Sequence, residues 1–495
     1  MTGETNAPQT GWQFVRAHNW AIPLISFAVL VPCLWHIHIE AGDLASHVYN
    51  AWLAQLIEKG QAPGLYIVHQ WNNVLVDWML LHTANLFGFA AAEKIVVSIC
   101  VLIFFWGVFA LAGAASGQPP WFLAPCIAML AYGYSFSMGF LNYYLSLGLA
   151  AFSLVLLWRG RGLQRLLGVL LFPFVLLAHP IGFLWLAGTA FYLILWTKLP
   201  AWWKLAMPIA ALAVVYVVRF YLMRQTRFAL DWTHDPIYVM NGADQLRLYG
   251  HRYDALGWAA VAFGVLCVLI DVISRRRESA FWQSIRLPVG LYFVAIIAVA
   301  LLPENLRPSI SGGWIGLLAS RLTTITAIFG LCVLGCLKPR RWHLAGFGVC
   351  AVVFFSFLYQ DTSRLNRMEV EVERLVQPLP PGTKVLSTIW APLDSRISFV
   401  AHFVDRACIH HCFSYDNYEP ASGQFRIRVR PGSPVAVASD DDSEDMQAGE
   451  YEVQDEDLPM MEIYQCDEKD LTKLCIRSLV AGEKNGRLGY EPNPE

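Results

Sequence analysis

Eleven apolar segments, each close to the roughly 20 residues that a bilayer core requires, dominate the first 360 residues of this 495-residue chain. They fall at about 20–39, 93–115, 118–137, 139–158, 163–179, 181–198, 203–222, 255–273, 284–303, 321–338 and 342–360. A backbone inside hydrocarbon must pair its own polar groups, so runs of this length read as membrane-spanning helices. Composition agrees. Only 15% of residues are charged, against about 25% in an ordinary soluble protein, and the chain holds 19 Trp and 29 Phe. A soluble enzyme, a disordered chain and a nucleic-acid binder are excluded. The expected fold is an all-α polytopic membrane domain of about eleven helices, followed by a small α+β or mostly β soluble domain.

The charges mark the boundary and the orientation. Residues 1–360 carry 22 Lys and Arg against 13 Asp and Glu, while residues 361–495 carry 14 against 25. The chain therefore reads as a membrane domain, 1–360, and an acidic soluble domain, 361–495. Short loops rich in Lys and Arg stay in the cytoplasm. Here they are Arg159 to Arg165, Lys198 to Lys204, Arg275 to Arg286, and Lys338 to Arg341. Alternation from them puts the N-terminus inside. It puts 41–92, 224–254, 304–320 and everything after 360 outside. The first apolar run lacks a small-residue cleavage site, so it is expected to persist as a span. Residues 73–90 are apolar enough to cross, yet they contain Asp77, His82 and Asn85. A crossing there would also move every downstream basic loop outside. They are expected to lie on the outer membrane surface, within a long first external loop, 41–92.

Beyond 361 the segment 363–376 reads as an amphipathic helix. Short alternating runs then follow: KVLSTIW, FRIRVR, VAVAS, YEVQ and MEIYQC. The acidic run 440–450 is expected to be a solvated loop. Four cysteines lie in this part: Cys408, Cys412, Cys466 and Cys475. Their even number suits an oxidising compartment, and their pairing is open among three connectivities. Cys408 and Cys412, with His410 and His411 beside them, could form half of a zinc site, but no second pair follows at the required spacing.

Carboxylates are scarce before residue 360, which draws attention to Glu40 and Asp43, just beyond the first apolar segment. With His47 they lie at i, i+3 and i+7, one face if the segment is helical. An acid at the membrane surface needs a partner or a task. The competing reading is a solvated helix start capped by Asp43.

Gly42-Asp43 followed by the helix-forming YNAWLAQLIEKGQAP resembles the first-loop motif of the GT-C superfamily of integral-membrane glycosyltransferases, in its lipid A aminoarabinose and protein mannosyl transferase branch. LLHTANLFG and AAEKIVVSICVLIFFWGVFAL are similar to the surface helix and second span of those enzymes. Within that class the chain looks closest to an uncharacterised set of bacterial membrane proteins. That likeness rests on DLASHVYNAWLAQLI, PWFLAPCIAMLAYGYSFSMGFLNYYLSLGL and DRACIHHCFSYDNYEPASGQF, and it covers most of the chain.

The resemblance implies transfer of a sugar from a polyprenyl-phosphate carrier to a glycan, lipid or protein acceptor on the outer face of a bacterial inner membrane. Asp43 would be the general base. Arginines outside the membrane would hold the carrier phosphate: Arg321 first, then Arg224, Arg227 and Arg307. Glu40, His47, His69, Asp231 and Asp235 would contact sugar or acceptor. Some GT-C enzymes place a second acidic residue in the next external loop, for a metal. Here that loop, 137–142, has none, so transfer without metal or other cofactor is expected. Two other classes remain. One is a non-catalytic subunit or scaffold that docks through its acidic domain. The other is a transporter, whose paired mid-span charges are almost absent here.

Overall fold

The helices form where long runs of Leu, Ala, Val, Ile and Phe supply good helix formers and an apolar surface at once. The structure is a computed structural model, and it describes residues 20–225, 241–305, 316–390, 395–467 and 469–486. Arg227, Asp231, Asp235 and Arg307 lie outside the described residues. Eight described helices are long and apolar enough to cross a membrane: Phe89–Ser116, Leu141–Arg159, Pro180–Lys198, Trp202–Arg224, Gly250–Arg275, Ser279–Leu301, Leu318–Gly335 and Arg341–Val376.

The three other expected segments are helical but short or interrupted. Ala21–Leu34 has 14 residues. The 118–137 segment is built from Trp121–Leu123, Ala124–Ala131 and Tyr134–Ser137. The 163–179 segment is divided into Leu163–Leu170 and Phe172–Ala178, with Pro173 in the first turn of the second piece. Proline lacks an N–H and clashes with the preceding turn, so it starts a helix more readily than it continues one.

Helix Leu75–Phe87 has 13 residues. It is ~20 Å long at 1.5 Å per residue, shorter than a hydrocarbon core of ~30 Å. Gly88, at φ +80°, separates it from Phe89–Ser116 with a backbone turn that residues bearing a Cβ rarely make.

Three of the four basic loops lie near one another, with Arg159 and Arg275 both acting on Cys336. The Arg159 Nε donates to the Ala114 carbonyl at 2.9 Å. Asp271 accepts from the Lys338 N–H at 2.6 Å and from Arg340 at 3.1 Å, and Arg275 lies 3.5 Å from the same carboxylate.

Residues 361–376 do not begin a new helix. Arg341–Val376 is one helix of 36 residues, ~54 Å long, so it carries the chain continuously from apolar to polar surroundings. The polar part beyond it is a small α+β unit. Strands β2 (Lys384–Thr388), β3 (Phe413–Ser414), β5 (Met460–Gln465) and β6 (Leu474–Ser478) form a sheet in the order β3-β2-β5-β6. β2 runs parallel to both neighbours, and β6 is antiparallel to β5, with Ile463 opposite Ile476. VAVAS is not a strand and YEVQ makes only an isolated bridge. The acidic run is a helix, Asp440–Ala448, because the Ser439 side chain accepts from the Asp442 N–H at its start. Disulfides join Cys408 to Cys412 and Cys466 to Cys475.

This unit is built into the rest of the protein. β1 (Leu65–Ile67), in the first long loop, pairs antiparallel with β4 (Ile427–Val429). The Ser414 N–H donates to the Tyr49 hydroxyl at 3.0 Å. The first loop and the C-terminal region thus share one sheet ribbon and one core.

Candidate functional site around Asp43

Asp43 ends the turn that leads into helix Leu44–Glu58. The Gly42 N–H donates to the Ser137 carbonyl at 2.7 Å, and the Asp43 N–H to the Met138 carbonyl at 3.0 Å. Gly139 completes that docking surface at φ +79°. A Cβ there would run into the Asp43 amide. The short 137–139 turn therefore fixes the Asp43 backbone even though it contributes no acid of its own. The Asp43 side chain makes no capping hydrogen bond, so its carboxylate remains available to other groups.

Two basic side chains interact with that carboxylate. His402 places Nε2 3.8 Å from Asp43 Oδ1 and holds Asp405 through Nδ1 at 2.9 Å. Burial disfavours the charged imidazole of His402, but Asp405, Asp43 and Asp416 outweigh it and raise its pKa. On another side is Arg321, in the first turn of Leu318–Gly335. Its guanidinium lies 4.2 Å from the centre of the Phe140 ring and interacts electrostatically with Tyr143, Asp43, Tyr134 and Tyr418. Its Nε is buried and has no hydrogen-bond partner among the described residues. The Tyr143 hydroxyl donates to the Arg321 carbonyl at 2.7 Å and fixes that turn.

A second group lies one helical turn on. His47 Nδ1 is 2.9 Å from Asp77 Oδ1 and 3.5 Å from Glu419 Oε1. Burial works against a charged His47, but Asp77, Glu419 and Asp43 push it up to about 10. Burial lifts Glu419 to about 7 against the pull of His47. Burial would raise Asp77 as well, yet His47 wins and its carboxyl is lowered. Asn142 holds the remaining Asp77 oxygen at 3.3 Å while accepting from the Val76 N–H at 2.8 Å. The Ser46 hydroxyl donates to Glu419 at 3.3 Å. Tyr418 stands over His402 with ring centres 5.4 Å apart. Its phenol is held well above the usual range by burial, then by Asp43, Glu419 and Asp405.

The other sequence candidates are dispersed. The helix begins at Leu44, so Glu40 does not share its face. Glu40 is buried in a separate group, accepting from Asn366 at 3.0 Å. His69 is exposed just beyond the β1–β4 ribbon. Arg224 is exposed near the end of its helix, stacked over Phe220 at 4.6 Å. Composition and spacing pointed to neither His402 nor Asp405. The available signal was the motif around 405–425, which places Asp405, Tyr418 and Glu419 in this group.

Chemically, the arrangement is a part-exposed carboxylate, an imidazole beside it whose charged form is favoured by its acidic neighbours, and a guanidinium without a hydrogen bond at Nε among the described residues. It can take a proton and hold an anion. Among the described residues no cluster of three or more His, Cys, Asp or Glu side chains is placed to hold a metal ion.

No protein-family model matches the chain, and no curated protein does. Among solved structures, ArnT from Cupriavidus metallidurans bound to undecaprenyl phosphate aligns over 92% of this chain and 94% of its own, at 13% identity and a TM-score of 0.26. At that score the alignment bears no weight in the functional reading.

Proposed function

We propose that this chain is a membrane glycosyltransferase that moves a sugar from a polyprenyl-phosphate carrier to an acceptor hydroxyl. The observation that carries this reading is Arg321, whose Nε has no hydrogen-bond partner among the described residues, within electrostatic range of the Asp43 carboxylate. The carboxylate is part-exposed, and the guanidinium beside it has a buried Nε without a partner among the described residues. A guanidinium with a buried, unpartnered Nε favours an anion, and a phosphate offers the oxygens that a guanidinium fork matches. The resemblance of the Gly42-Asp43 segment to the GT-C first-loop motif supports the same assignment.

The step is one in-line displacement. The acceptor oxygen forms a bond to the anomeric carbon as the bond from that carbon to the phosphate oxygen breaks, inverting the centre. Asp43 takes the hydroxyl proton, and Arg321 faces the charge that gathers on the departing lipid phosphate. In this reading His47 secures the helix that follows Asp43. His69, Arg224, Asp231, Asp235 and Arg307 serve the binding of carrier or acceptor, while Glu40 belongs to the buried group around Asn366 and Arg406. The end that holds Asp43 and the two disulfides faces the periplasm, where disulfides persist. The basic loops face the cytoplasm.

The test uses the full-length protein in nanodiscs with a panel of undecaprenyl-phosphate-linked sugars, reading released undecaprenyl phosphate. Asp43→Asn keeps size and hydrogen bonding but removes basicity, so turnover should fall by about 10²-fold or more while the thermal transition stays in place. Full turnover by Asp43→Asn would remove Asp43 as the base. A wild type inert to every donor would favour a scaffold.

A further inference from the structure

Side-chain exposure orders three residues from the surface inward. Asp43 is 26% exposed, His402 behind it 8%, and Asp405 behind that 3%. The imidazole is fixed from its far side, because Asp405 holds Nδ1 at 2.9 Å and leaves Nε2 directed at Asp43 Oδ1. His402 immediately precedes the helix Phe403–Ala407, which carries Asp405 one turn later. The Cys408–Cys412 disulfide closes the chain directly after that helix.

We infer that His402, contributed by the C-terminal region, is a positioning residue whose imidazole faces one oxygen of Asp43, as an ion-pair partner when protonated, and leaves the other oxygen to face the acceptor hydroxyl. This deepens the glycosyltransferase reading and rests on it. A carboxylate free to rotate presents either oxygen. One faced at Oδ1 by a fixed imidazole is pre-oriented. The arrangement has the logic of a hydrolytic triad, in which a buried carboxylate fixes the tautomer and direction of an imidazole. Here the imidazole is directed at a carboxylate. Proton balance is simple: the acceptor proton goes to Asp43 and then to solvent on the exposed side, and His402 keeps its own.

Other charged groups surround both residues. Arg321 and His47 also interact electrostatically with Asp43, as do Glu419 and Tyr418. Asp405 and Asp416 face His402. The test therefore compares variants at fixed surroundings.

Full-length protein in nanodiscs is treated with a carbodiimide and glycine ethyl ester across a pH series, and labelling of the Asp43 peptide is read by mass spectrometry. The reagent attacks the protonated carboxyl, so the labelling midpoint reports the charge state of Asp43 without any substrate. His402→Gln keeps a donor but removes the charge. Its midpoint should move to higher pH, and Asp405→Asn should move it in the same direction by less. A His402→Gln midpoint equal to wild type would overturn the inference.

In the donor assay, His402→Gln should lower kcat by ~10-fold or more with KM within about two-fold, and shift the acid limb of the rate profile upward. A fall in amplitude with an unmoved limb would mark His402 as structural only. Failure of the parent reading looks different: Asp43→Asn then keeps full turnover whatever His402→Gln does.

Discussion

Arg406 reaches from the C-terminal region to Glu93, at the start of a membrane-length helix, with Nε 3.2 Å from Oε2. Both side chains are buried. The same guanidinium contacts both oxygens of Glu369 at 2.6 Å and donates to the Ile39 carbonyl at 3.2 Å. Glu40 interacts with it too, and burial lifts the Glu40 carboxyl to about 7 against the pull of Arg406. One cation thus joins the segment just after the first helix, the helix Phe89–Ser116, the long final helix and the C-terminal region.

Arg406→Leu should therefore destabilise the whole protein, not just the C-terminal region. It leaves Glu93 and Glu369 buried without their cation, and stranding buried charge costs about 3–5 kcal/mol. The unfolding midpoint of full-length protein in nanodiscs should fall, with released C-terminal fragments appearing early in limited proteolysis. A midpoint within a degree of wild type would contradict this.

Stability should decline as pH rises from mildly acidic to alkaline. Glu419 is raised from the ordinary 4.5 to about 7, so the native form keeps a proton that the unfolded form releases. That contribution is lost between about pH 4.5 and 7. His47 is raised to about 10, so its contribution is complete below about 6.5 and disappears as pH approaches 10. Asp77, being lowered, acts oppositely, and only at the acid extreme. Thermal unfolding at pH 5.5 and pH 9 should give the lower midpoint at pH 9. His47→Gln should flatten the slope above pH 6.5; an unchanged slope there would remove His47 as its source.

Gly139→Ala tests the docking of Asp43 without touching its charge. The added Cβ meets the Asp43 amide and strains a backbone at φ +79°. Turnover of undecaprenyl-phosphate sugars should fall by ~10²-fold, as a misplacement of about 1 Å can cause. Gly162→Ala, also at positive φ but with open space around it, should leave turnover within about two-fold of wild type. Equal losses in both variants would point to general strain in place of a displaced Asp43.

Much of this architecture was legible because a membrane imposes a one-dimensional rule. Apolar length and basic loops sufficed to locate all eleven helical segments, including Ala21–Leu34. Breaks within a segment were less visible, since Gly133 and Pro173 interrupt helices without changing the apolar character of the run. The residue types turn polar at 361, but the helix does not end there. SRLNRMEVEVERLV is as good a helix former as the apolar run before it, so the helix continues to Val376. Attention fell on Asp43 because it is an acid in an acid-poor stretch, just beyond the first apolar segment. His402 was not, because its meaning lies in a contact with a residue 359 positions earlier in the chain. No local period encodes such a contact. Glu40 shows the converse: its spacing from Asp43 suggested a shared helical face, but the helix starts only at Leu44, and the side chain turns to Asn366.

Arg321 provides the prediction that bears most directly on the carrier. Its guanidinium lies on the Phe140 ring, with the backbone behind it fixed by Tyr143. No ion pair joins it to a carboxylate among the described residues, whereas Arg396, across the Tyr134 ring, is satisfied by Asp244 at 3.2 Å. Two arginines that both act on Tyr134 are thus used differently, one tied to a carboxylate by an ion pair and one without an ion pair among the described residues. If Arg321 holds the carrier phosphate, Arg321→Ala should weaken binding of undecaprenyl phosphate by ~10-fold or more, as loss of a charged hydrogen-bonding partner does. Arg321→Lys should recover only part, because an ammonium keeps the charge but loses the planar fork and its stacking on Phe140. Arg396→Ala should instead lower the unfolding midpoint, since Asp244 is buried and loses its partner. Binding is read by native mass spectrometry of the full-length protein against dolichol-free undecaprenyl phosphate, with undecaprenol as the uncharged control. Equal affinity for the two lipids, or wild-type phosphate binding by Arg321→Ala, would remove Arg321 from the carrier site.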